Sequence, residues 1–284
     1  MLIVGAAGQL GAEMVHAFPG ADVVALTRAS LDITDGAAVA RAIADAGPQV
    51  IVNCAAFNDV DGAESAPLDA LSVNALAVRS LARAAAAVNA TFVHFSTDFV
   101  FDGTAAEPYD ERVPPSPRST YAASKLLGEW FALDAPGAFV LRVESLFGSR
   151  RDFTGRRGTL DAIVAGLEEG REVRVFTDRV VSPSYTPDVA AATSHLVATD
   201  AAPGLYHCVN SGHSTWAEVA AEAARLLGVA PRLVPVTMAQ VQLKASRPRF
   251  CALSNRKLGD AGFPMPTWTD ALRRWFDVRA VPAA

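Results

Sequence analysis

Short apolar runs at residues 2–4, 22–26, 50–53, 91–95 and 138–143 are separated by longer stretches rich in Ala and Leu. Runs of this length bounded by turn-forming residues predict strands, and the stretches between them follow a helical period. Such alternation predicts βαβ units, hence a doubly wound α/β fold around a parallel sheet. The segment 68–88 reads as one helix whose small-residue face suits packing against that sheet. Residues 107–119 hold four prolines, which predicts an irregular loop leading into a helix that begins near Ser119 or Thr120. Beyond residue 145 the pattern loosens. It continues with a basic, glycine-containing segment at 149–158, a helix at 160–169 and a strand at 173–176. A strand at 205–209, a helix at 215–227 and a last helical segment at 270–276 follow.

With 284 residues, 51% of them hydrophobic, the chain can bury a sizeable core. A net charge of -5 argues against nucleic-acid backbone as the main partner, because that binding needs a cationic surface. Cys54, Cys208 and Cys251 are odd in number and lie far apart. They suggest neither a disulfide framework nor a zinc site, and reduced, buried thiols are expected. The amino terminus lacks a basic leader region and runs straight into the first apolar run, and no apolar stretch is long enough to cross a membrane. The expectation is a cytoplasmic protein that acts on small molecules.

Candidate chemistry begins at Gly5-Ala6-Ala7-Gly8-Gln9-Leu10-Gly11, placed after the first strand and before a helix. Glycines there permit a tight turn and close backbone approach to a pyrophosphate, so this context predicts dinucleotide binding in a Rossmann-like unit. The second strand ends Ala25-Leu26-Thr27-Arg28, without the acid that would hold an NAD ribose. Arg28 therefore favours NADPH, with NADH also possible. The expected division is a dinucleotide-binding domain at 1–145, to which 171–205 return. A smaller C-terminal substrate-binding lobe would be built from 146–170 and 206–284.

The strand at 91–95 delivers Ser96-Thr97-Asp98 to the edge where open α/β sheets bind ligands. Tyr121 and Lys125, four residues apart at the start of a helix, share one face. Ketone reduction needs a proton donor and hydrogen bonds aimed at the oxygen that gains charge. Tyr121 can supply the proton, and a nearby Lys125 ammonium would lower the phenol pKa by favouring phenolate. Thr97 would share the substrate oxygen.

These residues resemble the extended short-chain dehydrogenase/reductases, and more specifically the dTDP-4-dehydrorhamnose reductase family. The resemblance spans almost the whole chain. It rests on GAAGQLG at 5–11, NCAAFNDVDGAE at 53–64, STDFVFDG at 96–103, YAASKLLGE at 121–129, SPSYTPDVA at 182–190 and GLYHCVNSG at 204–212. It implies NADPH-dependent reduction of the 4-keto group of a nucleotide-linked 6-deoxyhexose. Tyr121 would be the proton donor, Lys125 would support it and the cofactor ribose, and Thr97 would stand where many relatives have serine. Cofactor contacts are implied for Gly8, Gln9, Leu10, Asp32, Ile33, Ala55, Ala56 and Phe57, and a sugar contact for Asp98. Arg247, in an Arg-Pro-Arg segment, would face the diphosphate.

The sequence departs from the family pattern in one stretch. Where the family reads LRTSWVYG, this chain reads LRVESLFG at 141–148, which puts Ser145 in place of an aromatic residue against the sugar. The same stretch adds Glu144, an acid suited to a sugar hydroxyl or to a neighbouring arginine. Some members form dimers through magnesium held by glutamates. Glu13 matches one such position but Pro187 replaces another, so no metal is expected, and the chain should be a monomer or a homodimer. Two alternatives stay open: a non-catalytic dinucleotide-binding subunit of a methionine adenosyltransferase, and a nucleotide-sugar epimerase. The presence of Thr97, Tyr121 and Lys125 together favours an enzyme over the first.

Overall fold

A computed structural model describes residues 1–148 and 158–280. The basic segment at 149–157 lies outside the described residues. The first half contains β1 (Leu2–Val4), α1 (Gln9–Met14), β2 (Val24–Leu26), α2 (Gly36–Ala46), β3 (Val50–Asn53), α3 (Val60–Ser65), α4 (Pro67–Leu71), α5 (Ala77–Ala87), β4 (Thr91–Thr97), α6 (Thr120–Leu133) and β5 (Phe139–Val143). The second half contains β6 (Leu146–Phe147), α7 (Thr159–Glu168), β7 (Glu172–Phe176), β8 (Val180–Val181), β9 (Ser184–Tyr185), α8 (Thr186–Ala198) and β10 (Gly204–His207). It ends with β11 (Ser214–Thr215), α9 (Trp216–Leu227), β12 (Arg232–Val236), α10 (Arg256–Asp260) and α11 (Trp268–Ala280).

Six strands form one sheet in the order β10-β5-β4-β3-β1-β2, with every pairing parallel. Alternate residues feed opposite faces. Leu2, Val4, Ile51, Phe92 and Val140 pack with Val39 and Ile43 of α2 and with Val78 and Leu81 of α5. Ile3, Val52, Val93 and Leu141 pack on the other side with Leu10, Met14, Val189 and Leu196. Burial on both faces is why these strands read as unbroken apolar runs. The order reverses beside β1, so the carboxyl ends of β1 and β3 border the crevice where such sheets bind ligands.

Local chemistry sets the helix boundaries. Asp35 caps α2 by accepting from the Ala37 and Ala38 amides, and Gly47 ends it in the left-handed conformation. Ser119 caps α6 through the Ala122 amide at 3.2 Å. Thr215 and Glu218 form a reciprocal capping box at the start of α9. The single helix expected at 68–88 is instead α4, a π-helical turn at Ser72–Leu76, and α5. The strand expected to return to the main sheet, β7, instead pairs in parallel with β12. β10, which spans the expected boundary at 205/206, lies wholly in the six-stranded sheet as its edge strand. The smaller core gathers Phe147, Leu160, Val173, Val181, Trp216 and Trp275, among others. Among the described residues, no helix is long and apolar enough to cross a membrane.

Candidate active site

The glycine loop is built for close approach. Gly5 has φ +78°, and a Cβ there would stand 2.6 Å from the Ala55 backbone nitrogen, so both conformation and space require glycine. A Cβ on Gly11 would stand 2.2 Å from the Gly5 carbonyl oxygen, so α1 seats directly on the loop. The Gly5 and Ala6 amides both donate to the Leu26 carbonyl, joining the loop to β2. Gly8 caps α1 with no side-chain bond, Leu10 is buried in the core, and Gln9 Nε2 is buried without a partner. An orphaned amide beside a glycine cradle at the switch point fits a dinucleotide.

Arg28 is exposed just beyond β2. Asp32 Oδ1 accepts from the Thr34 hydroxyl at 2.7 Å and the Thr34 amide at 3.0 Å. These bonds, with a smaller contribution from Arg28, hold its carboxyl below the ordinary range. Ile33 is buried behind it. After β3, Ala55, Ala56 and Phe57 are half-buried. Ala55 N donates to Asn53 Oδ1 at 3.1 Å. Asn74, on the π-helical turn, accepts from Phe57 N at 2.8 Å and donates to Phe57 O and to Ser124 Oγ. Ser124 in turn donates to the Tyr121 carbonyl. One amide side chain thereby ties the loop after β3 to the helix carrying Tyr121 and Lys125. Gly128 permits this approach, since a Cβ there would stand 2.2 Å from Asn74 O. A π turn at such a junction accords with the concentration of these turns at functional sites.

Thr97, Asp98, Tyr121 and Lys125 are all buried. Thr97 Oγ1 donates to Asp98 Oδ1 at 3.0 Å, accepts from Phe99 N, and stands beside the Tyr121 phenol. Lys125 Nζ donates to the Phe95 carbonyl at 2.6 Å. Burial brings its pKa down to about 8, against the opposing charges of Glu129 and Cys54. The expected lowering of the Tyr121 phenol is corrected here. Burial raises it, the Asp98 carboxylate raises it further, and only the neighbouring Thr97 hydroxyl opposes them. Lys125 reaches the strand carbonyl, so its charge does not settle on the phenol.

Beside this set, Glu144 is buried and Ser145 takes φ +46°, a strained conformation for a residue with a side chain. The Ser182 amide donates to Glu144 Oε2 at 2.6 Å. Arg247 is drawn elsewhere than the diphosphate role implies. It forks onto Asp61 at 2.9 and 2.8 Å and holds that carboxyl down at about 2. Glu13 contributes to the field at Tyr185. Among the described residues, one group of potential metal ligands converges, Asp98, Glu144 and Cys251, and Arg179 stands beside it.

Several residues of the site were not assigned from sequence. Glu129 and Arg142 lie inside quoted motifs, yet only the folded chain reveals their pairing. Asp61 also lies in a quoted motif without its partner being readable, and Asn74, Arg179 and Cys251 gave no local signal for their partners, which lie far away in the sequence.

A tyrosine and lysine on one helix face, a threonine at the adjacent strand end and a glycine cradle at the switch point define a short-chain dehydrogenase/reductase. The family described as RmlD substrate binding domain matches residues 1–280. The chain is 38% identical over 286 residues to a dTDP-4-dehydrorhamnose reductase of Streptomyces griseus, covering 97% of this chain and 92% of that one. It is 36% identical over 282 residues to a dTDP-4-keto-6-deoxy-D-glucose reductase of Streptomyces niveus, covering 97% and 96%. The structure of a Bacillus anthracis dTDP-4-dehydrorhamnose reductase in complex with NADP superposes with a TM-score of 0.92 at 31% identity, covering 98% of each chain. The chain belongs to the dTDP-4-dehydrorhamnose reductase family.

Proposed function

We propose that this protein is a cytoplasmic, NADPH-dependent reductase of the 4-keto group of a nucleotide-linked 6-deoxyhexose. The observation that carries the reading is the convergence of Thr97, Tyr121 and Lys125 beside the glycine cradle, in a chain matched by the family from end to end of its described core. When bound, NADPH supplies the hydride. The ketone oxygen lies between the Thr97 hydroxyl and the Tyr121 phenol, which share its growing charge. Tyr121 O–H protonates it, and the raised phenol pKa keeps that proton on oxygen until the substrate draws it away. Lys125 would bind the ribose. Gly5, Gly8, Gln9, Leu10 and Gly11 would hold the pyrophosphate, Ala55, Ala56, Phe57, Asp32 and Ile33 would contact the dinucleotide, and Arg28 would bind the 2′-phosphate of NADPH. Asp98 and Ser145 belong to the sugar-nucleotide side, where the six-stranded unit meets the smaller lobe.

The test is NADPH oxidation by the purified protein with dTDP-4-dehydro-L-rhamnose, followed by nicotinamide absorbance. Oxidation is expected for the native chain. Tyr121→Phe should lose it by at least about a hundredfold while still binding NADPH. Full turnover in Tyr121→Phe would overturn the assignment.

A further inference from the structure

Asp98 and Glu144 come from different strand ends, and both are fully enclosed. A carboxylate oxygen of each and Cys251 Sγ lie within 4.8 Å of one another. Each acid has one engaged oxygen: Asp98 Oδ1 accepts from Thr97 and Glu144 Oε2 accepts from Ser182 N. Each also has one buried oxygen, Asp98 Oδ2 and Glu144 Oε1, with no partner. Two buried carboxylates this close together, each with an unpaired oxygen, are costly if both are charged, and a single proton shared by the pair removes most of that cost.

The surroundings accord with one negative charge for the pair. Arg179 is the cation facing it. Its guanidinium lies 5.4 Å from the Phe99 ring centre and 3.9 Å from Cys251 Sγ. Phe99 meets Tyr121 edge-on at 5.6 Å. Cys251 is held as the neutral thiol by burial, so the titratable groups facing the pair are Arg179, Cys251 and Tyr121. Burial pushes both carboxyls above the ordinary range.

We propose that Asp98 and Glu144 share one proton and form a proton reserve for Tyr121, reached through the Thr97 hydroxyl. This rests on the reductase reading above. As the phenol gives its proton to the ketone oxygen, Thr97 turns its hydroxyl proton from Asp98 Oδ1 to the phenolate, and Asp98, rotating its carboxyl to bring the shared proton to Thr97, replaces the proton that Thr97 gives up. The pair is left with two negative charges beside Arg179, and a proton from solvent restores it when product leaves. Hydride and proton together convert ketone to alcohol, and the enzyme returns to its starting protonation. Glu144 touches neither ketone nor cofactor in this scheme. It is a positioning residue that keeps a proton on Asp98.

Glu144→Gln keeps the shape and removes the shared charge. The native enzyme should lose kcat along an alkaline limb that reports loss of the shared proton. Glu144→Gln should move that limb down by at least about one pH unit, a tenfold loss above it, with the KM for NADPH unchanged. Superimposable kcat–pH profiles would overturn the proposal. Infrared spectroscopy keeps it testable if the variant fails to fold or the ketosugar is not reduced. The native protein should show a protonated-carboxyl stretch at neutral pH, and absence of that stretch would overturn the pair. Failure of the native protein to oxidise NADPH while the stretch is present would instead refute the reductase reading, together with the relay.

Discussion

Removing Glu129 should cost this protein a large part of its stability through charge rather than shape. Arg142 of β5 reaches across to α6 with Nε 2.8 Å from Glu129 Oε1 and Nη2 2.7 Å from Oε2. Both side chains are only 2% exposed. Ser96 donates to the same carboxylate, the guanidinium lies 4.9 Å from the Phe101 ring centre, and its Nη1 is 3.3 Å from His207 Nε2. In Glu129→Gln the amide fills the same space but leaves a buried guanidinium without its counter-charge, a loss of about 3–5 kcal/mol. With a urea dependence of about 3 kcal/mol per M, the unfolding midpoint should fall by about 1–1.7 M. The control is Glu129→Leu combined with Arg142→Met, which removes both charges and should recover most of the loss. A Glu129→Gln midpoint within about 0.3 M of the native value, near 1 kcal/mol, would refute the reasoning. So would a double variant as unstable as the single one, because it would place the effect in packing.

Two pH-dependent predictions follow from other buried groups. Lys125 is held down at about 8 by burial, so kcat/KM for NADPH should fall as pH rises through that value, and Lys125→Arg should shift the limb upward; a limb at the same pH in that variant would exclude Lys125 as its source. His207 is held down at about 3 by burial and by the Arg142 charge, and His94 lies well below its ordinary value by burial and the charge of Lys125. In the window between ordinary and depressed values the unfolded chain binds protons that the folded one refuses, so stability falls as pH drops, by about 1.4 kcal/mol per pH unit for each histidine. Urea midpoints measured down from neutral pH check this, and His207→Gln should halve the slope.

The central sheet was legible because its strands are buried on both faces, and β1 and β3 match the apolar runs residue for residue. β4 runs two residues beyond its apolar run because Ser96 and Thr97, polar but buried, find partners in Glu129 and Asp98. The π turn was not legible, since a shift in hydrogen-bond spacing inside an Ala-rich segment leaves the composition unchanged. β12 escaped notice because it is mostly half-buried or exposed, with Val236 alone buried, and it contains Pro235, which reads as a strand breaker away from an edge. The glycine loop, Thr97, Tyr121 and Lys125 were readable as motifs because their partners are close in sequence or set by the fold class. Arg179 and Cys251 were not, since each meets Asp98 only after the smaller lobe closes. Arg247 was singled out as a cation for the diphosphate, but its partner Asp61 could not be foreseen from residues that far apart.

The placement of β10 has a consequence for how the chain is made. β5 pairs on one side with β4, its predecessor in the sheet, and on the other with a strand that follows the whole first part of the smaller lobe. A nascent chain released as far as β5 therefore presents Phe139, Val140 and Leu141 along an open sheet edge, a surface that invites pairing with other chains. That edge is sealed only when β10 arrives, so the folding of the intervening segment sets how long the growing protein is exposed to aggregation.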